Sequence, residues 1–574
     1  MATVPLVKRI FNSGELSSKV YGRTDIERYD GGVKTLTNFI PIPQGGIVRR
    51  PGTRYVATNK YNSNAAVALL PFVFSLDQAY IIEAGGSEVG YFRFYHDKGQ
   101  ILGANNAAYE ITSPYVISRA HNVQMAQSFN TAYTYHANVY PQAITRTAHN
   151  NWTVGNVSFT NASTAWTANN GYPRTGGFYQ DRHVLASTPY FPSRMWFSKT
   201  SNYTDMTSGT NDDEGFSINL LSGTSDTLFW MVSKRGIVVG GDSGIWVVSS
   251  ANGSSSAITP TNRKADKDTY FGSSEIAPAM LGEHVIYAQY LSDKVRDLSY
   301  AYESDAYGSS ELSVLADHLL EGRKIRQFAY QQSPFEIVWA RLDDGNLLAL
   351  TYLAEHKVIG WSKHTFGGFV NSIACVPGNN ETELWLSITR TRNNNNVTCI
   401  EVMEPFYFGN SMNNAFFVDS GLSGSANNNV VSGLNHLEGR TVQYLADGVV
   451  GTTTVNNGSI TIAANSANNI VIGLGYNSII ETLPIEAEIK SGPTMFKTKR
   501  ITSVGVRVRG SAGGTYGPDN NTQTALLSNN SLFSGDKTNL SLRGGYNTNR
   551  TVMIKQTVPY PMAIDAIGLD VEVE

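Results

Sequence analysis

The chain has 574 residues, a formal net charge of −3 and a sequence pI of about 6.4. This length is too great for one ordinary hydrophobic core, so we expect two or more domains. The near-neutral charge excludes a globally basic surface that would bind nucleic acid by neutralising phosphates. Charged residues make up only 16%, whereas 53 glycines and 30 tyrosines favour short strands and tight turns, which predicts an all-β fold.

The number of cysteines and the hydropathy of the chain indicate whether disulfides, zinc sites, a signal peptide or a membrane span should be expected. Cys375 and Cys399 are too few for a disulfide framework or a cysteine zinc site. A pairing across a hairpin stays open, but buried free thiols are the favoured interpretation. Residues 1–10 contain no long apolar stretch, and no run of about 18 apolar residues occurs. Neither a signal peptide nor a membrane span is therefore predicted.

The first 58 residues are rich in turn-forming residues. Thr24 and Glu27 have the spacing of a capping box, which predicts a short helix over 24–29. Further on, prolines and glycines between Pro41 and Gly52 force an extended, turning path. We therefore predict that residues 1–58 form an extended N-terminal arm, which crosses over other elements and is not itself a core.

From residue 59 to residue 410, short apolar runs alternate with turn residues. Residues 66–74, 79–83 and 90–95 predict a meander, and Pro71 inside the first run indicates an edge strand or a bulge. Three further pairs of apolar runs flank Asp/Gly-rich or Asn-rich turns, which is typical of hairpins. These pairs are 237–240 with 245–248, 337–340 with 347–350, and 383–386 with 397–401.

Hairpins that recur at a spacing of roughly 40 to 50 residues predict a β-propeller-like core over 59–410, with a large sandwich as the competing architecture. The loose repeat does not give the number of blades. A polar stretch near 145–178 predicts an insertion, and residues 411–574 predict an additional C-terminal β domain. The large aromatic residues expected to pack between blades are Trp230, Trp246, Trp339, Trp361 and Trp385.

One short motif resembles a catalytic sequence. The residues GDSG at 241–244 resemble the nucleophile motif of chymotrypsin-like serine proteases, which also need a histidine base and an aspartate. Neither His121 nor His149 lies in the sequence context of that family's histidine. The turn of a hairpin is therefore the favoured interpretation.

Metal-binding patterns are weak. The acidic clusters at 211–214 and 343–345 lack the spacing of a calcium loop, and the ten histidines form no zinc-binding pair. We predict no catalytic, cofactor-binding or metal-binding residue, and we do not expect an enzyme. A carbohydrate-binding or carbohydrate-degrading propeller is the alternative, because paired carboxylates need no sequence motif.

A local basic group lies in the C-terminal region. Lys497, Lys499 and Arg500, followed by Arg507 and Arg509, could face nucleic acid or an acidic neighbour. We treat the first three as a candidate channel or interface group. The other interpretation is an alternating strand with solvated charges.

Several blocks of sequence resemble the tail nozzle proteins of short-tailed bacteriophages, the tail tubular protein B-like family. The blocks occur in family order and cover most of the chain, whereas the stretches near 145–178 and 410–435 depart from it. The N-terminal blocks are FNSGEL at 11–16, YGRTD at 21–25, NFIP at 38–41, QGG at 44–46 and RRPGTR at 49–54. The later blocks are FYQDRHVLA at 178–186, MWFS at 195–198, YTDM at 203–206, EGRKI at 321–325, YQQSP at 330–334, GLGY at 473–476 and ETLP at 481–484.

The resemblance implies a structural virion protein that is assembled in the host cytoplasm and located in the viral tail. Six copies would form a ring below a tail adaptor protein, support tail fibres or spikes, and surround viral DNA without sequence-specific binding. The alternative becomes a carbohydrate-active propeller of a phage tail. In a cyclic ring each subunit needs two different faces. We therefore expect the arm, with Arg49, Arg50, Pro51 and Arg54, to clasp a neighbouring subunit.

Overall fold

The computed structural model describes residues 2–223, 225–253, 256–486, 488–489, 492–528 and 531–574. Within these ranges the helices α1 (Glu27–Asp30) and α2 (Ile117–Ala120) are about one turn long, and strands make up most of the regular structure. The predicted all-β class is confirmed. Single 3-10 turns occur at Ser18–Val20, Ala104–Asn106, Asp317–Leu319, Ala354–His356, Met412–Asn414 and Asn435–Leu437.

The arm forms strands and does not run as a free extended segment. Its apolar side chains Phe11, Val33 and Phe39 are fully buried, so the expectation that the arm is not a core is wrong. The arm strands are β1 (Ala2–Lys8), β2 (Gly14–Glu15), β3 (Gly32–Thr37), β4 (Phe39–Pro41), β5 (Ile47–Arg49) and β6 (Thr53–Thr58).

The next 28 strands, β7 to β34, form the blades of a propeller, each a small antiparallel meander. Blades 1 to 4 contain β7 (Ala68–Ser75), β8 (Gln78–Gly85), β9 (Gly90–His96), β10 (Gly99–Gln100), β11 (Glu110–Ser113), β12 (Gln124–Ser128), β13 (Thr131–His136), β14 (Val139–Ala148), β15 (Asn151–Asn156), β16 (Thr175–Tyr179), β17 (Arg182–Ala186), β18 (Arg194–Phe197), β19 (Phe216–Asn219), β20 (Leu228–Ser233), β21 (Ile237–Gly241), β22 (Ile245–Ser249) and β23 (Lys264–Thr269). Blades 5 to 7 contain β24 (Ala279–Leu281), β25 (His284–Ala288), β26 (Val295–Ala301), β27 (Ala306–Glu311), β28 (Ile325–Gln331), β29 (Ile337–Leu342), β30 (Leu347–Leu353), β31 (Val358–His364), β32 (Phe369–Pro377), β33 (Thr382–Arg392) and β34 (Asn395–Met403).

The described residues form seven blades, and the ring is closed by apolar packing. A separate buried cluster lies between every pair of neighbouring blades, including the last pair, where Leu69 and Ile81 of blade 1 share a cluster with Trp385 of blade 7. The five predicted tryptophans each lie in a different one of these clusters. The predicted packing between blades is confirmed, and the three predicted hairpins are blade hairpins.

Blade 7 takes its fourth strand from the arm. Strand β6 pairs antiparallel with β34, so that Thr58 lies opposite Cys399 and Thr53 opposite Met403. The chain therefore closes its own propeller by joining a strand near its N-terminus to the last blade. Cys375 and Cys399 are free thiols on β32 and β34, which flank β33 and do not pair with each other.

The C-terminal region extends the outer edges of blades 6 and 7. In blade 6, β2 and β3 lie between β31 and β41, and in blade 7, β6 lies between β34 and β35. Gly14 on β2 has a φ of +63°, and a Cβ there would lie 2.3 Å from the backbone nitrogen of Trp361. The C-terminal strands are β35 (Asp419–Ala426), β36 (Val430–Ser432), β37 (Thr441–Ala446), β38 (Val449–Thr454), β39 (Ser459–Thr461), β40 (Ala467–Leu474), β41 (Ser478–Thr482), β42 (Glu488–Ile489), β43 (Gly492–Pro493), β44 (Lys499–Ser511), β45 (Thr515–Gly517), β46 (Thr524–Ala525), β47 (Phe533–Ser541), β48 (Met553–Gln556) and β49 (Ala563–Val573).

Two local expectations are corrected. The first helix begins at Glu27 after Ile26, whose apolar side chain makes no cap, so the capping box at Thr24 does not form. The predicted insertion is shorter than 145–178, because β14 and β15 form the outer hairpin of blade 2 up to Asn156. That hairpin is held by Trp152, whose ring stacks on Phe94 with 4.4 Å between centroids.

Gly52 provides a test of the contact between arm and C-terminal domain. A Cβ at this position would lie 1.9 Å from the carbonyl oxygen of Val418, which is rigid backbone. We expect Gly52→Ala to lower the free energy of unfolding by about 1–3 kcal/mol through overpacking. Gly22→Ala is the matched control in the same arm, because nothing lies within 4 Å of its Cβ position. Equal thermal midpoints for the two variants would contradict this packing.

His183 on β17 predicts a loss of stability in acid. The His183 side chain is fully buried. Its Nδ1 atom lies 3.0 Å from the Tyr203 carbonyl oxygen, and its Nε2 atom lies 2.6 Å from the Tyr135 hydroxyl. One donor and one acceptor on the ring match these two partners, as in a neutral imidazole. Burial lowers the pKa of His183 from 6.5 to about 4. Because the unfolded chain then binds the proton more readily, stability falls as the pH falls below about 6.5.

Between about pH 7.5 and pH 5, we expect the His183→Gln variant to lose about 2 kcal/mol less unfolding free energy than the unmodified chain loses. This difference follows from the pKa values of 6.5 and about 4. The measurement is chemical unfolding of both proteins at the two pH values. His356→Gln, at an exposed position, is the control and should keep the full loss. If His183→Gln loses as much stability as the unmodified chain, the buried neutral ring is not responsible.

Candidate functional site: a buried arginine junction

Two consecutive arginines lie where the arm, the propeller and the C-terminal domain meet. Arg49 ends β5, and Pro51 and Gly52 bend the chain before β6 begins. Arg49 is 2% exposed and Arg50 is 0% exposed. Buried charges are tolerated only when they are paired and hydrogen-bonded, so the contacts of these two side chains define the junction.

Arg50 uses all five of its guanidinium N–H donors. Two of them bind the carboxylate of Asp419 at 2.8 and 2.7 Å, in the bidentate geometry that favours arginine over lysine. Nε donates to the side-chain oxygen of Asn38 at 3.0 Å. The remaining two N–H groups donate to the carbonyl oxygens of Pro51 and Thr365 at 2.9 and 2.8 Å. One side chain therefore binds the arm, the end of blade 6 and the start of β35.

Aromatic rings cover the flat faces of the Arg50 guanidinium. Its central carbon lies 4.1 Å from the ring centroid of Phe366 and 3.9 Å from that of Tyr476. Burial by itself would lower the pKa of Arg50, but the Asp419 charge and hydrogen bond together with Tyr476 outweigh it, and the net pKa is raised. The neighbours of Arg50 therefore favour its charged form.

Arg49 binds only neutral oxygens. It donates to the carbonyl oxygens of Val558 and Tyr560 at 2.6 Å and of Tyr476 at 2.9 Å, and its Nε donates to the Ser478 hydroxyl at 3.0 Å. Burial without a carboxylate partner lowers the pKa of Arg49 to about 10. Arg49 therefore ties β5 to two separate C-terminal segments by its geometry.

A second buried ion pair extends the junction into blade 7. Arg390 on β33 binds both carboxylate oxygens of Glu401 on β34, at 2.6 and 2.7 Å. The hydroxyl of Thr53 on β6 donates to the same carboxylate at 2.5 Å and accepts the N–H of Ser420 at 3.0 Å. Strand β6, the outer strand of the last blade, is thus held by buried side-chain hydrogen bonds as well as by its backbone hydrogen bonds to β34.

These contacts correct the expectation that the candidate assembly arm binds a neighbouring subunit through Arg49, Arg50, Pro51 and Arg54. Arg49, Arg50 and Pro51 are buried within their own chain, so their side chains are not exposed for contact with a neighbouring subunit. Arg54 is partly exposed, yet it pairs with Glu404 and donates to Ser423 at 3.0 Å. The physical reason is that a buried guanidinium needs fixed partners, and the same chain supplies them.

The candidate basic group is not a single surface. Lys499 is 0% exposed, and its Nζ donates to the Ile485 carbonyl oxygen and the Glu486 carboxylate, both at 2.8 Å. Its neighbour Arg500 is exposed on the opposite side of β44, because successive strand residues point to opposite faces. Lys497 precedes the strand and is partly exposed. The interpretation as one channel-facing group is therefore wrong for Lys499.

The GDSG motif lies at the turn between β21 and β22, as the hairpin interpretation predicted. Ser243 donates to Asp226 and accepts from the ammonium of Lys267 at 2.6 Å. Lys267 and the Trp246 indole also donate to Asp226, at 3.0 and 2.8 Å. These contacts tie the serine to a buried ion pair and thereby fix the turn between β21 and β22.

The acidic clusters also act in local structure. Glu214 accepts the N–H of Asn211 at 3.0 Å, and Asp344 pairs with Arg323 at 2.9 Å. In the part of the chain that the structure describes, no group of three or more His, Cys, Asp or Glu is arranged to hold a metal ion. The same part contains no helix with the length and apolarity needed to cross a membrane.

Sequence reasoning missed the acidic and aromatic partners of the two arginines. Asp419 and Tyr476 are 369 and 426 residues from Arg50, and nothing in the local pattern links them. One signal was present, since Asp419 directly follows the apolar run 415–418 and a lone acid beside such a run is a candidate for a buried pair. Glu401, inside the apolar strand β34, carries the same signal.

Comparisons with known proteins concern the fold. No protein-family model matches the chain, and no curated protein matches it. The RRP9 WD40 repeats share 10% identity over 62% of this chain and 100% of that one, with a TM-score of 0.39. U3-55K has 10% identity, 61% and 99% coverage and a TM-score of 0.38. The β-propeller domain of Myceliophteria thermophila Cps50 (Swd1) has 8% identity, 61% and 99% coverage and a TM-score of 0.36.

Breaking the Arg50–Asp419 pair tests the junction. We expect Arg50→Met or Asp419→Leu alone to lower the free energy of unfolding by about 3–5 kcal/mol, because each leaves an uncompensated buried charge. The double variant should lose less than the sum of the two. Arg23→Met is the matched control in the same arm, since Arg23 binds Asp25 at 2.7 and 2.8 Å with both side chains more than half exposed.

Exposed pairs contribute at most about 1 kcal/mol, so the control should unfold close to the unmodified chain. Denaturant unfolding of all four variants measures the differences. Additive losses in the double variant would mean that Arg50 and Asp419 do not stabilise the junction through each other.

Proposed function

We propose that this chain is a structural virion protein, one subunit of the ring-shaped tail nozzle of a short-tailed bacteriophage. One observation carries the proposal. The RRPGTR block at 49–54, which supports the resemblance to nozzle proteins, is the same segment that joins the propeller to the C-terminal domain. Residues that the fold requires at fixed positions support a resemblance better than residues on an exposed surface, because fewer other residues can replace them.

The subunit has the properties that the wall of a conduit requires. Strands of the arm connect the outer edges of blades 6 and 7 to the C-terminal sheets, so large parts of the molecule share continuous hydrogen-bonded sheets. Buried bidentate ion pairs fix the connection. A wall element must keep its shape while DNA moves past it, and such interlocked sheets resist deformation.

The proposal includes six copies in a cyclic ring, an adaptor protein on one side and tail fibres or spikes on the other. Viral DNA would pass through the lumen without sequence-specific binding. The net charge of −3 supports passage over retention, because phosphate neutralisation by Lys and Arg is what holds proteins on DNA. The chain would be assembled in the host cytoplasm and reside in the viral tail.

We propose a role without covalent chemistry. The nucleophile-like Ser243 lies at a hairpin turn, where the ion pair of Asp226 and Lys267 holds it. At the junction, all five N–H donors of Arg50 bind oxygens of its own chain, and Arg49 makes four such hydrogen bonds. In this proposal these groups stabilise the fold.

Oligomeric mass tests the proposal most directly. Purified full-length chain, or nozzle material released from virions, should give a particle six times the 62.6 kDa subunit mass by native mass spectrometry. Negative-stain images should show rings with a through-going channel. Arg50→Met, which weakens the junction, should reduce ring yield more than the control Arg23→Met. A chain that stays monomeric inside and outside the particle would refute the nozzle role.

The carbohydrate-active alternative rests on one cavity of about 250 Å³. Burial raises the pKa of Glu381 and of Glu383, and both carboxyls line this cavity. Each already accepts hydrogen bonds, Glu381 from the N–H groups of Phe406 and Tyr407 and Glu383 from the Trp385 indole, and none of the described lining residues is aromatic. Release of reducing sugar that disappears in Glu381→Gln and Glu383→Gln would support this alternative instead.

A further inference from the structure

A central cavity of about 610 Å³ lies where the inner strands of several blades converge. Its walls come from β7 of blade 1, the segment 120–125 that leads into blade 2, the segment 275–280 before and in β24, and strands β28 and β32 of blades 6 and 7. Apolar and polar groups both line it. The cavity plays no part in the arginine junction described above.

Two arginines of blade 6 face this cavity. Arg341 lies near the end of β29, opposite Gln327 on β28, and Arg326 lies on β28 itself. The register of the two strands shifts between Ile325 and Gln327, so Arg326 is the extra residue of a β-bulge. Bulges redirect a side chain out of the regular alternation, which brings Arg326 and Arg341 to the same wall.

The Arg341 guanidinium lacks a partner. Its Nε is buried and makes no hydrogen bond, and within the described residues neither Arg341 nor Arg326 forms an ion pair. Burial, together with the positive charge of Arg326, lowers the pKa of Arg341 to about 10. This is the opposite of Arg50, whose five donors are all satisfied. Arg341 is partly buried and its enclosed Nε atom is unpaired, which is costly, so an anion is the natural complement of this wall.

None of the other described titratable groups near Arg326 and Arg341 forms an ion pair with them. Asp343 lies close enough to raise the pKa of Arg341, but its carboxylate accepts the N–H of Lys324 at 3.1 Å. Glu275 lines the cavity with an exposed side chain. His121 also lines it, and the surrounding protein and the Arg341 charge lower its pKa to about 4, so it is neutral near pH 7.

We propose that Arg326 and Arg341 form a binding site for an oxyanion, a phosphate or carboxylate group, in the central cavity of the propeller. The planar guanidinium fork matches the two oxygens of such a group, and the partly desolvated wall strengthens the attraction. The neutral His121 ring can donate one further hydrogen bond. The cavity is larger than a single phosphate, so the oxyanion can belong to a larger ligand. This site does not depend on the proposed nozzle role.

Calorimetric titration of the full-length chain with inorganic phosphate, and separately with citrate, tests the site at constant ionic strength in a chloride buffer. Binding of phosphate alone, of citrate alone, or of both identifies the oxyanion, and each of these results supports the site if it depends on the two arginines. We expect Arg341→Met to weaken the binding at least tenfold and Arg326→Gln to weaken it severalfold. Arg500→Gln, at an exposed position on β44, is the matched control and should bind as the unmodified chain does.

Thermal unfolding separates binding from a structural role of Arg341. Without added anion, Arg341→Met should keep or raise the thermal midpoint, because it removes an unpaired charge. The bound anion should raise the midpoint of the unmodified chain and not that of the variant. If Arg341→Met does not fold, the exposed Arg326→Gln carries the test. Binding of neither anion, or equal binding by the unmodified chain and both variants, would overturn the proposal.

Discussion

The structure depends on the burial of one fully satisfied guanidinium. Arg50 has no exposure to solvent, and each of its five donors has an oxygen acceptor. Such a group is stable only in one arrangement of its neighbours, because loss of any acceptor leaves a polar atom unpaired in a medium of low dielectric constant. Since the acceptors come from the arm, blade 6 and β35, the three regions are fixed relative to one another.

The arm explains why the chain behaves as one interlocked body. Its strands lie between the propeller and the C-terminal sheets on two blades, so neither region has a free sheet edge at these positions. Exposed sheet edges invite uncontrolled pairing with other chains, and covering them removes that hazard. The same arm strand β6 closes the last blade, which couples closure of the propeller to docking of the C-terminal domain. Buried ion pairs here are best understood as devices that specify a unique arrangement.

The two arginine pairs of the molecule differ in how their charges are partnered. At the junction, Arg49 and Arg50 are surrounded by carbonyl oxygens, a carboxylate and aromatic faces. In the central cavity, Arg326 and Arg341 line one wall and form no ion pair with any residue that the structure describes, and a bulge brings Arg326 there. At the junction, the chain itself supplies the partners of the guanidinium groups. In the cavity, the proposed partner is an oxyanion from a bound ligand.

The sequence by itself determined the local elements of this protein. The apolar runs around residues 241–244 and 343–346 specify blade hairpins, because alternation and turn chemistry act over a few residues. It also determined that the tryptophans lie between blades. The number of blades, the closing strand β6 and the Arg50–Asp419 pair were decided by the tertiary structure alone. They depend on contacts between residues as much as 369 positions apart, and local patterns carry no information on which distant strand or charge will meet.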